Sequence, residues 1–95
     1  MVDAQVPEVT VQVRNRVGLH ARPADLFMRA ANKYKSDIQI CNLTNRSDFV
    51  NAKSILRILA LGVYHGYRIQ LRINGADEKE AAAELSTLVN SNFKE

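Results

Sequence analysis

The sequence is poor in the residues that staple a small chain or load it with a cofactor. One cysteine, Cys41, occurs in 95 residues. No intrachain disulfide can close, and a cysteine-built metal scaffold is excluded. There is no tryptophan, and aromatic residues make up only 6%, so a core has to come from Val, Ile, Leu and Ala. No run approaches the roughly 18 consecutive apolar residues that read as a membrane span. Residues 1–10, MVDAQVPEVT, lack a basic stretch followed by an apolar run, so no secretory signal is visible and the cytoplasm is the expected compartment. Neither charge sign dominates, with 13 Lys+Arg against 10 Asp+Glu, which excludes a polyelectrolyte tail. Repeats and low-complexity segments are absent as well.

What is present is a 46% hydrophobic chain, enough for one core and not two. One domain over residues 1–95 is expected, with its core at about 8–92. A large catalytic cleft does not fit this size. Chemistry has to sit on a few surface residues shared with a partner.

The hydrophobic period switches along the chain. Val9, Val11 and Val13 alternate with polar residues and predict a strand over 8–14. Gly18 breaks that pattern. From Pro23, residues Ala24, Phe27, Met28, Ala31 and Tyr34 fall at helical spacing and predict a helix at about 22–34. Ile38 and Ile40 mark a second strand, and alternation places Cys41 away from its core face. Residues 43–48 are turn-rich, and Phe49–Asn51 pair back as a short third strand. Ser54, followed by an apolar run and closed by Gly62, reads as a short helix. Tyr67, Ile69, Leu71 and Ile73 form the clearest strand. Asp77 and Glu80, three residues apart, predict a capping pair for a last helix running to about 91. The order β-α-β-β-α-β-α is most economically an α+β open-faced two-layer sandwich. A four-stranded antiparallel sheet carries all three helices on one face. Its other face would present Thr10, Gln12, Arg14, Arg68, Gln70 and Arg72.

The chemistry concentrates in Gly18-Leu19-His20-Ala21-Arg22-Pro23-Ala24, between the first strand and the first helix. His20 falls where the first helical N–H groups have no internal partners and the helix carries about half a positive charge. Such an end accepts phosphate. Arg22 adds a guanidinium whose N–H groups match phosphoryl oxygens. Gly18 and Pro23 set unusual backbone angles on either side. An imidazole nitrogen there is a nucleophile for a phosphoryl group, and that transfer depends mainly on positioning and charge neutralisation.

These residues carry a resemblance. G-L-H-A-R-P-A is similar to the active-site signature of the HPr family, the histidine-containing phosphocarriers of the bacterial phosphotransferase system. Lys53-Ser54-Ile55-Leu56-x-Ile58-x-x-Leu61-Gly62 resembles that family's regulatory serine motif. The two stand in the family's order, and the resemblance covers about residues 8–92. It implies phosphorylation of His20 on Nδ1 by the phosphohistidine of enzyme I, itself charged from phosphoenolpyruvate. It implies transfer onward to a histidine of a sugar-specific IIA component, with Arg22 stabilising the phosphohistidine. Ser54 would take a regulatory phosphate from HPr kinase/phosphorylase. Ile55, Leu56 and Leu59 would form the docking patch. The implied protein is a monomeric carrier rather than an enzyme, and it needs no cofactor, metal, membrane or nucleic acid.

The sequence departs from the family pattern in places. Val17 stands where a small polar residue is usual, Asp25 replaces a small neutral residue, and Arg57 stands where Gly is frequent. At roughly 7 Å from a phosphoryl group, the Asp25 charge would repel it by about 0.6–2.4 kcal/mol for an effective dielectric of about 20–80. The loop 43–48 also reads as a few residues longer than usual. Two other functions fit parts of the sequence. One is an HPr-like regulator of a nitrogen-related or catabolite-repression pathway that binds a transcription regulator through phosphorylated Ser54. The other is a nucleic-acid binder using Arg14, Arg68 and Arg72, which would lack the interleaved aromatics that base stacking requires.

Overall fold

Alternating valines and isoleucines give the longer strands one apolar face, and four strands pair through their backbones in one antiparallel sheet. The computed structural model describes residues 8–94; residues 1–7 and 95 of the expected domain lie outside them. The strands are β1 (Glu8–Gln12), β2 (Asp37–Asn42), β3 (Val50–Asn51) and β4 (Arg68–Asn74), in the spatial order β1-β4-β2-β3. Both central strands are the isoleucine-rich ones. Val11 pairs with Ile69 and Ile40 with Leu71 across the ladders. β1 ends at Gln12, yet Val13 still donates to Tyr67 O at 2.8 Å and accepts from Gly66 N at 2.7 Å. The chain therefore stays held to β4's entrance beyond the strand proper.

The helices are α1 (Ala21–Asn32), α2 (Ile55–Ala60) and α3 (Glu78–Asn90). In α1 the buried stripe is Ala24, Phe27, Ala30 and Ala31. In α3 it is Ala81, Leu85 and Val89, spaced by one turn each. These stripes and the buried residue of α2, Ile58, join Val11, Val13, Ile38, Ile40, Ile69, Leu71 and Ile73 in one core cluster. The small alanines let the helices approach the sheet closely, and Phe27 and Phe93 supply the large volumes. Burying each Ile or Leu contributes about 1.5–3 kcal/mol.

One local expectation changes, and two local features add to the expected fold. The Asp77 side chain does not cap α3. It reaches back to the α1–β2 connection and accepts from Lys35 N (2.9 Å), Ser36 N (3.0 Å) and Ser36 Oγ (2.5 Å). Three donors outcompete the single N–H that capping would satisfy, and Glu78 accepts from Gly75 N instead. After α3 a 3₁₀ turn (Asn92–Lys94) follows, with three consecutive residues at positive φ, and it folds Phe93 into the core. Cys41 does face away from the helices, opposite Gln70 in the register, but it is buried rather than open, and burial pushes its thiol pKa up.

The open sheet face is mixed rather than basic. Arg72 pairs with Glu8 at 3.0 Å and lies 4.0 Å over the Phe49 ring. Among the described residues, no helix is long and apolar enough to cross a membrane.

Candidate functional site

His20 is the residue immediately before α1, in extended conformation, and its side chain makes no capping hydrogen bond. Its carbonyl accepts the first helical bond, from Ala24 N at 2.8 Å. Pro23 has no N–H, so the unspent donors of this helix start are those of Ala21 and Arg22. The imidazole and the Arg22 side chain are both exposed beside them. A nucleophilic ring and two main-chain donors thus share one helix end, and the exposed Arg22 side chain lines the adjoining groove between α1 and α3 with Leu26, Arg29 and Glu84.

The preceding turn is fixed by a close backbone approach. Gly18 has φ +68°, and a Cβ there would lie 2.3 Å from Val63 O and 2.7 Å from Tyr64 Cα. Leu19 N donates to Val63 O at 2.9 Å, and the Leu19 side chain is buried in the core. The segment after α2 therefore forms the floor under the histidine loop.

α2 runs antiparallel beside α1. At one end Asn32 Nδ2 donates to Lys53 O at 3.2 Å. At the other, Leu19 meets Val63. Ser54 is consequently at the end of α2 remote from His20, separated from it by about 9 Å of helix. Its hydroxyl caps α2 by accepting from Arg57 N at 3.4 Å. Leu56 is 76% exposed and Leu59 37%, while Ile55 is half-buried against the core. Among the described residues the other exposed large hydrophobics are Val17 (52%) and Tyr64 (63%), which flank Gly18 on both sides. All four lie on α2 or on the two segments that meet at the histidine loop.

Tyr64, Asn15 and Asn42 also stand here without a local sequence signal of their place. Nothing local reveals that the Tyr64 ring is left in solvent beside Tyr67 (T-shaped, 5.5 Å). Asn42 is fully buried; it donates to Leu61 O at 2.9 Å and accepts from Asn45 N at 3.0 Å, tying the end of β2 to the end of α2. Asn15, also buried, donates to Gly18 O at 2.8 Å. The Asp25 carboxylate, expected to face a phosphoryl group, accepts from Arg29 Nε at 2.9 Å one turn further along α1. That pairing directs its charge down the helix and weakens the expected repulsion.

This geometry matches known proteins. Residues 7–91 match the family model described as the PTS HPr component phosphorylation site. The phosphocarrier protein HPr of Treponema pallidum is 40% identical over 86 residues, covering 90% of this chain and 94% of that protein. The multiphosphoryl transfer protein of Vibrio cholerae is 35% identical over 97% of this chain; the chain spans only 23% of that longer protein. A crystal structure of an HPr from Thermoanaerobacter tengcongensis superposes with a TM-score of 0.88 at 44% identity, covering 94% of this chain and 97% of that one. A dimeric structure of HPr from the same organism gives 0.73 over 92% and 97%. With the family model matched across the exposed histidine loop, the sheet and all three helices, the chain belongs to the HPr family, the phosphocarriers of the phosphotransferase system.

Proposed function

We propose that His20 receives a phosphoryl group from the phosphohistidine of enzyme I and surrenders it to a histidine of a IIA component. In the first step the donor N–P bond breaks as a bond from His20 Nδ1 to phosphorus forms. In the second step the His20 N–P bond breaks as a bond from the acceptor histidine's nitrogen to phosphorus forms. The observation that carries the reading is the exposed His20 ring at a helix start whose Ala21 and Arg22 N–H groups are unspent. These donors and the Arg22 guanidinium spread the charge of the transferred group, which is most of what phosphoryl transfer asks of a protein. The protein acts as a substrate of its partners and not as an enzyme.

Leu56 and Leu59, with Ile55 behind them, give the partners an apolar surface, with the exposed Arg57 on the same short helix. A carrier that shows one face to successive partners works as a monomer in the cytoplasm. Sedimentation or light scattering at working concentration tests the monomer, and a dimer burying this face would count against it. A phosphate on Ser54 would sit at the far end of that surface and act on docking rather than on the ring. A purely regulatory role through Ser54 would not need an exposed ring at a helix start.

The test is incubation with enzyme I and labelled phosphoenolpyruvate. Label that is lost in acid, survives base and is absent from His20→Ala is expected. Label persisting in His20→Ala overturns the site, and no labelling of the parent overturns the carrier role.

A further inference from the structure

Asn15 and His65 are not accounted for by the phosphoryl site, yet they meet beneath it. Asn15 is 3% exposed. Its side-chain Nδ2 donates to Gly18 O at 2.8 Å, and its main-chain carbonyl accepts from Gly18 N at 3.2 Å. One residue therefore holds both polar groups of the glycine that precedes Leu19 and His20. The same Asn15 carbonyl lies 3.2 Å from Nδ1 of His65, fifty positions away. A carbonyl can only accept, so this contact selects the form of His65 with a proton on Nδ1. On either side, Val13 is bonded to Gly66 and Tyr67, and Leu19 to Val63.

The ring of His20 makes no capping hydrogen bond of its own, and Val17 offers no polar group to orient it. Its place is then set by the path of the backbone into α1, and slack in residues 15–18 moves the ring with it. We propose that Asn15 and His65 are positioning residues for phosphoryl transfer. Asn15 fixes the Gly18 peptide, and His65, reaching over from the segment after α2, fixes Asn15. This rests on the carrier role of His20 and adds to it two residues that touch neither the phosphoryl group nor the partner-facing leucines.

The test uses the full chain with three substitutions. Asn15→Asp keeps the shape but places an acceptor against the Gly18 carbonyl. His65→Leu removes the donor at an exposed position where folding is not at risk, and His65→Gln restores one. Two quantities are read: the saturating rate and KM for phosphorylation by enzyme I, and the nuclear magnetic resonance signals of the His20 ring and the Leu19–Arg22 amides in the unphosphorylated protein. Expected are a fall of about 10- to 100-fold in the saturating rate for Asn15→Asp and a smaller fall for His65→Leu. KM should stay within about twofold. His20 signals should shift in both variants, and His65→Gln should return toward the parent in both readouts. Unchanged His20 signals in Asn15→Asp and His65→Leu overturn the proposal, as does a parent-like saturating rate in Asn15→Asp. A parent chain that takes no phosphoryl group at all sinks the carrier role, and the resonance readout still decides the positioning of His20.

Discussion

Ser36 and Asp77 are joined across 41 positions of sequence by a hydroxyl–carboxylate hydrogen bond of 2.5 Å, with the Ser36 and Lys35 N–H groups on the same carboxylate. The bond clasps the end of α1 to the start of α3, the two helices that cover most of the sheet.

The clasp has a pH signature. The Ser36 hydroxyl, then the Lys35 and Ser36 N–H groups, hold the Asp77 carboxyl below its ordinary 3.8. Its contribution is therefore whole above the unfolded value and is lost as the pH falls through the lower folded one. Ser36→Ala and Asp77→Asn should both lower the melting midpoint at neutral pH. Both should also flatten the loss of stability below about pH 4, near the unfolded carboxyl value. Thermal melts across the acid range check this; an acid limb as steep as the parent's in Asp77→Asn would show that the clasp is idle.

Glu84 makes a second tie between the same helices, and its partner Tyr34 titrates at the other extreme. It accepts from the Tyr34 hydroxyl and pairs with Lys33. The hydrogen bond to Glu84, followed by burial, pushes the Tyr34 phenol up to about 12. A raised folded value means the contribution is complete below the unfolded value of 10.0 and lost as the pH rises through about 12. Tyrosinate absorbance should show one of the three tyrosines ionising late, and Tyr34→Phe should remove that late step.

Much of this framework was legible because one sheet face is wet and one is dry. Alternation at Val9–Val13 and Tyr67–Ile73, and the helical spacing from Ala24, follow directly from that. What sequence could not reveal depends on long-range competition. Asp77 obeys the local rule for a helix cap, but three donors 41 and 42 positions away win its carboxylate. Nothing local marks Asn15 or Asn42, and only the folded chain buries them against Gly18 and Leu61. The place of His20 and Arg22 at the start of α1 was legible because that segment is consecutive. Tyr64 was not, because its place beside Gly18 is set by the contact between two loops.

That contact makes Gly18 a strict position. At φ +68° a side chain is already strained, by about 1–3 kcal/mol, and the added Cβ meets backbone atoms of Val63 and Tyr64 that cannot swing aside. Gly18→Ala should lower stability by at least that amount and depress phosphorylation of His20 more than the unfolded fraction explains. Denaturant unfolding with parallel labelling separates the two. A variant that retains parental labelling and stability would show that the floor under the loop is soft.

α2 offers a paired comparison between neighbours. Ile58 is fully buried and Leu56 is 76% exposed. Ile58→Ala should cost about 2–5 kcal/mol of stability. Leu56→Ala should change stability by no more than about 0.5 kcal/mol, yet raise KM for enzyme I by about 5- to 30-fold if it is a central contact. Tyr64→Ser is expected to follow Leu56→Ala. Unchanged KM in both Leu56→Ala and Tyr64→Ser would remove the apolar surface from the docking role.

Ser54 separates capping from charge. Its hydroxyl already accepts from Arg57 N, so Ser54→Ala should cost about 0.5–1 kcal/mol through the lost cap. Asp is as good a residue as Ser at that position, so Ser54→Asp should keep the cap and the stability while adding a negative charge at the Lys53 end of α2. If regulation works through docking, Ser54→Asp should raise KM for enzyme I several-fold and leave the saturating rate alone, because His20 lies at the other end of the helix. Ser54→Ala should leave both unchanged. A fall in saturating rate with parental KM in Ser54→Asp would mean instead that the charge is felt at the ring itself, along the helix rather than through the partner.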